Sequence, residues 1–232
     1  MRAPLVRAML ARVASDAGQR ITVQDVGDAG LDDWRLLADG LHARFRTGGM
    51  PAGLALVAAV VAAAEELDHH PDVDLRMTHV DVRTVSHDVG RVTRRDLRLA
   101  RRISDIVADE GFAAEPHALA QVEVALDTAD LAAVGPVWAA LLTGDAGALD
   151  GDDVVDRSGR TPLLWFQGTD AHEVPRQRFH LDVWVPHDVA RERIDAAVAA
   201  RARVVDESAA PSFVVLEDPE GNRACVCTAL DR

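Results

Sequence analysis

Glu65-Glu66-Leu67-Asp68-His69-His70-Pro71, followed after a strand-like stretch by Ser86-His87-Asp88-Val89-Gly90-Arg91-Val92-Thr93-Arg94-Arg95-Asp96, decides how the first half of this chain is read. Three imidazoles and several carboxylates gather in one short segment. Pro71 biases His70 away from the helical region, so the histidine pair lies just past a helix. That helix is predicted over Pro51–Glu66: Pro51 suits a first turn, and Leu54, Val57, Val61 and Ala64 are assigned to its apolar face. From Arg76 to Ser86 the alternation of Val80 and Val82 with Asp81 and Arg83 predicts a half-buried strand. His87 then stands at the strand's end, folded back toward the pair as an acid/base arrangement.

The flanking elements complete a small α+β unit. Trp34–Ala38 and Leu41–Arg46 read as strands around Asp39-Gly40, a hairpin signal. Thr93 as N-cap with Asp96 three residues on is a capping-box start for a helix reaching about Glu110, with Leu99, Ile103, Ile106 and Val107 toward the sheet. The arginine-dense run Arg91–Arg102 is interleaved with Asp96 and apolar residues, the pattern of a solvated helix face. His79 reads as a surface histidine. Glu115-Pro116 marks the boundary, giving domains of residues 1–115 and 116–232.

The histidine frame resembles the pterin-4a-carbinolamine dehydratase family, with the spacing from His70 to His87 matched without a gap and Gly90, Thr93 and Asp96 in register. The resemblance spans about residues 22–112. It implies an antiparallel sheet covered by helices and the dehydration of a 4a-hydroxytetrahydropterin to a quinonoid dihydropterin. His69, His70 and His87 are then the acid/base set, and Asp68, His69, His70, Val85, Ser86, His87 and Asp88 line the pterin site, with Asp88 orienting an imidazole. Histidine suits the task because both of its protonation forms coexist near neutral pH. The pterin is substrate, so no cofactor is expected, and zinc is disfavoured because adjacent histidines do not readily face one ion. A homo-oligomer and a pterin-dependent hydroxylase as partner are further expectations. Arg91 replaces the family's second glycine, and Val73 and Met77 stand where aromatic residues are common. Residues 1–21 match nothing recognisable.

The second half is duplicated. Val122–Asp127 followed by a helix over Leu131–Leu142 is echoed by His180–Val185 followed by a helix over Ala190–Ala200, with strands at Leu163–Gln167, Phe213–Leu216 and Ala224–Thr228. Two βαβββ units follow from that order. With Phe179–Val185 and the turn Asp218-Pro219-Glu220-Gly221-Asn222, this half is similar to the glyoxalase/bleomycin-resistance/dioxygenase superfamily. Metal enzymes of that superfamily take ligands from equivalent strands of the two units; here those positions are Gln121, His180 and Cys225. One imidazole beside a carboxamide and no last-strand carboxylate is a weak donor set, so a metal-free binding or accessory domain is expected. Trp165, Phe166 and Trp184 read as core.

Composition sets the outer bounds. A formal charge of -13 over 232 residues argues against a nucleic-acid or anionic-membrane surface. Leu54–Ala64 is cut off by Glu65 and Glu66 before reaching the length of a membrane span, and Met1–Leu10 lacks the features of a secretory leader, so a cytoplasmic protein is expected. Cys225 and Cys227 lie two apart on a predicted strand and read as reduced thiols. Two rivals stand beside the enzyme: a non-enzymatic dimerisation, assembly or small-molecule binding module, and a lyase activity housed in the C-terminal domain.

Overall fold

The computed structural model describes residues 20–143, 145–157, 159, 161–170, 179–199, 202–217 and 223–232; the predicted turn at Asp218–Asn222 and residues 1–19 lie outside them. The chain divides into two compact units, Met1–Leu119 and Ala120–Arg232.

The first unit runs α1 (Val23–Asp28), β1 (Trp34–Leu37), β2 (Gly40–Arg46), α2 (Met50–Leu67), β3 (Asp72–Leu75), β4 (His79–Thr84), α3 (Arg94–Asp109) and β5 (Ala113–Ala114). Its antiparallel sheet has the order β1-β2-β4-β3, with β5 on β2. The Asp39-Gly40 hairpin forms as the sequence indicates. The strand predicted between Arg76 and Ser86 forms as β4, and a strand not predicted, β3, precedes it and folds back on it, with Val73 facing Val82 and Leu75 facing Val80. Alternation buries Val80, Val82 and Thr84 and leaves Asp81 and Arg83 on the other face, where Arg44 grips Asp81 at 2.6 and 2.7 Å.

The buried face of α2 matches the predicted one only in part, with Ala64 buried and Val57 packed against the core. Gly53, Leu56, Val60, Ala63 and Ala64 are buried, whereas Leu54 is 61% and Val61 49% exposed. This helix is rich in Ala, Val and Leu on every side, so periodicity cannot select the face; fit to the sheet does. An added Cβ at Gly53 would come within 2.5 Å of Leu75 Cδ1, which shows how closely the helix approaches β3. At 18 residues with mean hydropathy 1.6, α2 is long and apolar enough for a membrane span by composition, but its inner face joins Phe45, Val80, Val82 and Leu99 in one core. α3 is strongly amphipathic and inserts Leu99, Ala100, Ile103 and Val107 into the same core. Burying each such aliphatic side chain contributes about 1.5–3 kcal/mol.

The second unit contains β6 (Gln121–Thr128), α4 (Leu131–Thr143), β7 (Leu149–Asp150), β8 (Asp153–Val154), β9 (Leu164–Gly168), β10 (Phe179–Trp184), α5 (Ala190–Ala199), β11 (Arg203–Asp206), β12 (Phe213–Glu217) and β13 (Arg223–Cys227). This is βαβββ twice, as the repeat implies. One sheet has the order β11-β12-β13-β10-β6-β9-β8-β7. β6 and β10, the first strands of the two halves, pair antiparallel at its centre, and each is flanked by the parallel last strand of its own half. Each half has its own core, Leu126, Ala139, Leu164 and Phe166 in one and Val185, Ile194, Val214, Leu216 and Val226 in the other.

Candidate functional site

In the first unit the site begins where α2 ends. Asp68 caps the helix in the left-handed conformation (φ 49°), a geometry a short polar side chain tolerates, and the His69 N–H bonds back to Ala64 O at 3.1 Å. The reversal sends successive side chains opposite ways: His69 is only 7% exposed, while the side chain of His70 is 55% exposed. The second arm follows β4. Ser86 N–H bonds to Arg91 O at 3.1 Å, and the Val89 and Gly90 N–H groups return to Ser86 O at 3.1 and 2.9 Å. Gly90 has φ +63°, which closes this tight loop around His87.

Asp96 ties the two arms together from the first turn of α3. His69 Nε2 lies 2.7 Å from Asp96 Oδ1, and Thr84 Oγ1 donates to the same oxygen at 2.7 Å. Ser86 Oγ and the Thr93 N–H donate to Oδ2, each at 2.7 Å. The carboxylate is fully buried. Burial by itself pushes it up, but the bonds from His69, Ser86, Thr84 and Thr93 outweigh this and hold it down at about 2. Asp96 is thus both the capping-box acid the sequence indicates and the group that holds an imidazole, which the sequence reading gave to Asp88. Asp88 is engaged elsewhere: its Oδ1 accepts from Arg95 Nη2, which lowers its carboxyl.

The two loops also meet directly, with His87 Nε2 3.3 Å from the His70 carbonyl oxygen. His70 Nε2 lies 3.0 Å from Glu65 Oε1. Each of the three imidazoles therefore has Nε2 set against a group that only accepts: the Asp96 carboxylate, the Glu65 carboxylate and a backbone carbonyl. Nε2 must carry the proton in each, and in the neutral ring Nδ1 holds the lone pair. Val85 and Ser86 are buried at the end of β4, with Ser86 Oγ also 2.7 Å from Thr93 Oγ1. His79 stays apart, near Asp81 and Thr78 on the outer face of the sheet. The sequence assigns no role to Thr84 or Glu65, although the alternation of β4 points to burial of Thr84 and Glu65 opens the quoted histidine motif.

Comparison with known proteins places this frame. Residues 19–106 match the family model for pterin 4 alpha carbinolamine dehydratase, and residues 123–227 match that for a glyoxalase-like domain. A protein from Nocardia farcinica with the curated name "Putative pterin-4-alpha-carbinolamine dehydratase" is 35% identical over 98 residues, which are 42% of this chain and 98% of that protein. The chain belongs to the pterin-4a-carbinolamine dehydratase family. A like-named dehydratase relative from Chloroflexus aurantiacus is 37% identical over 75 residues, 32% of this chain and 81% of that one. A crystal structure described as a transcriptional coactivator/pterin dehydratase from Brucella melitensis aligns over 38% of this chain and 98% of that chain, at 27% identity and a TM-score of 0.35. The dehydratase-family match lies in the first unit and the glyoxalase-like match in the second.

In the glyoxalase-like unit the equivalent-strand positions separate. Gln121 pairs with Trp184, and its buried Oε1 has no hydrogen-bond partner among the described residues. His180 instead neighbours Asp182, a carboxylate the sequence reading did not consider. Asp182 first, and then Cys225, accept from the imidazole and push it up to about 10. Burial pushes the Glu123 carboxyl up to about 7, the Trp184 indole N–H opposing this and the Asp182 charge adding to it. Phe166 is core, as expected, whereas Trp165 turns its indole N–H to Asp182 Oδ2 at 3.2 Å.

Proposed function

We propose that the first unit dehydrates a 4a-hydroxytetrahydropterin to a quinonoid dihydropterin by histidine acid/base catalysis. The observation that carries this reading is the shared Nε2 anchoring of His69, His70 and His87, which commits each neutral ring to an Nδ1 lone pair. The reaction breaks the C4a–O bond as the N5 proton leaves and a C4a–N5 double bond forms; the departing hydroxyl takes a proton and becomes water. One neutral imidazole accepts the N5 proton at Nδ1 while a protonated one delivers a proton to the hydroxyl. Asp96 and Glu65 compensate the charge on His69 and His70 when those rings hold a proton, whereas His87 has only a neutral carbonyl behind it.

Asp68, Val85, Ser86 and Asp88 lie beside these histidines in the chain and line the pterin in this reading. The substrate brings the chemistry with it and no cofactor takes part. A homo-oligomer, a cytoplasmic location and a pterin-dependent hydroxylase as supplier of the 4a-hydroxy compound belong to the same proposal. The exposed Leu54 and Val61 of α2 offer an apolar face to a second copy. The test is spectroscopic: full-length protein should accelerate loss of a 4a-hydroxytetrahydropterin over the uncatalysed reaction, and His87→Ala should not. Equal rates with and without protein would leave the binding-module reading instead.

A further inference from the structure

The register of the second unit's sheet lines up a row of side chains on one of its faces. Gln121 on β6 pairs with Trp184 on β10, Trp184 with Cys227 on β13, and Cys227 with Phe213 on β12. Residues paired in this way point to the same side, so the four stand level across four strands. Glu123, two residues along β6, shares that face, and its Oε2 accepts from the Trp184 indole N–H. The row lies at the opposite end of β10 from His180.

A cation from the chain itself covers this row. Arg232 Cζ stands 4.3 Å from the centroid of the Trp184 ring and 6.0 Å from that of Phe213. Its Nε donates to the Thr228 carbonyl oxygen at 3.2 Å. Burial raises the Glu123 carboxyl, and the Arg232 charge is among the groups that oppose this. Trp184 is only 5% exposed beneath the guanidinium, whereas Arg232 is itself an exposed residue. A group so placed can exchange with a ligand of the same chemistry. One acceptor in the row stays unmet: Gln121 Oε1 is buried beside Trp184 without a hydrogen-bond partner among the described residues. Such an oxygen costs free energy until an N–H reaches it.

We propose that this row binds a small organic cation bearing N–H groups, a guanidinium or a primary ammonium, and that the Arg232 side chain holds the place of that ligand until it is displaced. The faces of Trp184 and Phe213 attract the positive charge, and Glu123 supplies the counter-charge. Gln121 Oε1 supplies an acceptor that a quaternary ammonium cannot use, because it has no N–H to donate. An incoming cation binds only the fraction of chains from which Arg232 has withdrawn, so Arg232 lowers the apparent affinity. The arrangement uses none of the histidines of the proposed dehydration and is independent of it.

The test is calorimetric titration of the full chain with butylguanidinium chloride, and with tetramethylammonium chloride as the cation that lacks N–H groups. Arg232→Ala should bind butylguanidinium about 3–30-fold more tightly than the unaltered chain, the factor that displacing one cation–π contact accounts for. Glu123→Gln, of equal size, should weaken binding by about tenfold with circular dichroism unchanged. Gln121→Met, which removes the unmet acceptor without emptying its space, should weaken binding by about threefold or more. Tetramethylammonium should bind about tenfold more weakly than butylguanidinium. No heat of binding to Arg232→Ala at about 10 mM butylguanidinium would overturn the site. Equal affinity in Arg232→Ala and the unaltered chain, equal affinity for the two cations, or full affinity in both Glu123→Gln and Gln121→Met would overturn it as well.

Discussion

Asp96 Oδ1 and His69 Nε2 lie 2.7 Å apart, and the carboxylate that makes this bond also closes the first turn of α3. One side chain therefore couples the start of a core helix to the orientation of an imidazole 27 residues earlier. The coupling gives Asp96 a structural and a functional consequence that can be measured separately.

Asp96→Ala should cost about 3–5 kcal/mol of stability, because it strands the buried Thr93 N–H and the hydroxyls of Thr84 and Ser86 together with His69. Asp96→Asn keeps the volume but turns two N–H donors toward other donors, and should cost less. Chemical denaturation of the two variants checks the order. Costs below about 1 kcal/mol for both would show that the network is dispensable.

His69→Ala and His87→Ala should each lower dehydration by ~10²-fold or more, the usual loss when a positioned proton-transfer group is removed. Circular dichroism must be retained for the comparison to count. Wild-type turnover in both variants would end the histidine assignment.

Acid should unfold the first unit over a defined window. The Asp96 carboxyl stands at about 2 in the folded chain, below its ordinary value of 3.8. A depressed acid contributes stability that is whole above the unfolded value and is lost as pH falls through the folded one. Stability should therefore decline from about pH 4 toward pH 2, by an amount on the order of 2 kcal/mol from this group. Asp96→Asn should flatten that part of the profile, and an unchanged slope would place the acid sensitivity elsewhere.

Gly90→Ala tests the loop that carries His87. An added Cβ at Gly90 meets nothing within 4 Å, so the cost comes from φ +63° alone, about 1 kcal/mol. Urea titration reads the stability change, and the dehydration rate should fall less than in His87→Ala. A loss as large as that of His87→Ala would mean that the loop geometry, more than the imidazole, limits the reaction.

Local chemistry made much of this protein legible from sequence. The Thr93–Asp96 box, the Asp39-Gly40 hairpin, the Val80/Val82 alternation and the duplicated βαβββ order are set by neighbours a few residues apart, and each forms as read. The histidine frame was visible because its spacing is itself a local pattern. The buried face of α2 was not visible, since a helix apolar all round takes its orientation from what it packs against.

Only the tertiary structure decided which acid serves which base. Asp88 and Asp96 are equivalent in sequence chemistry, yet one meets Arg95 and the other His69, because the α2 turn and the α3 start converge on the end of β4. The same holds for Asp182, which is one strand residue among many until β13 brings Cys225 level with it. Residue type and spacing determine which chemistry is available. Distances of 2.7–3.3 Å between polar groups far apart in the chain arise only when the core closes, because burial selects one pairing from the many that an extended chain allows.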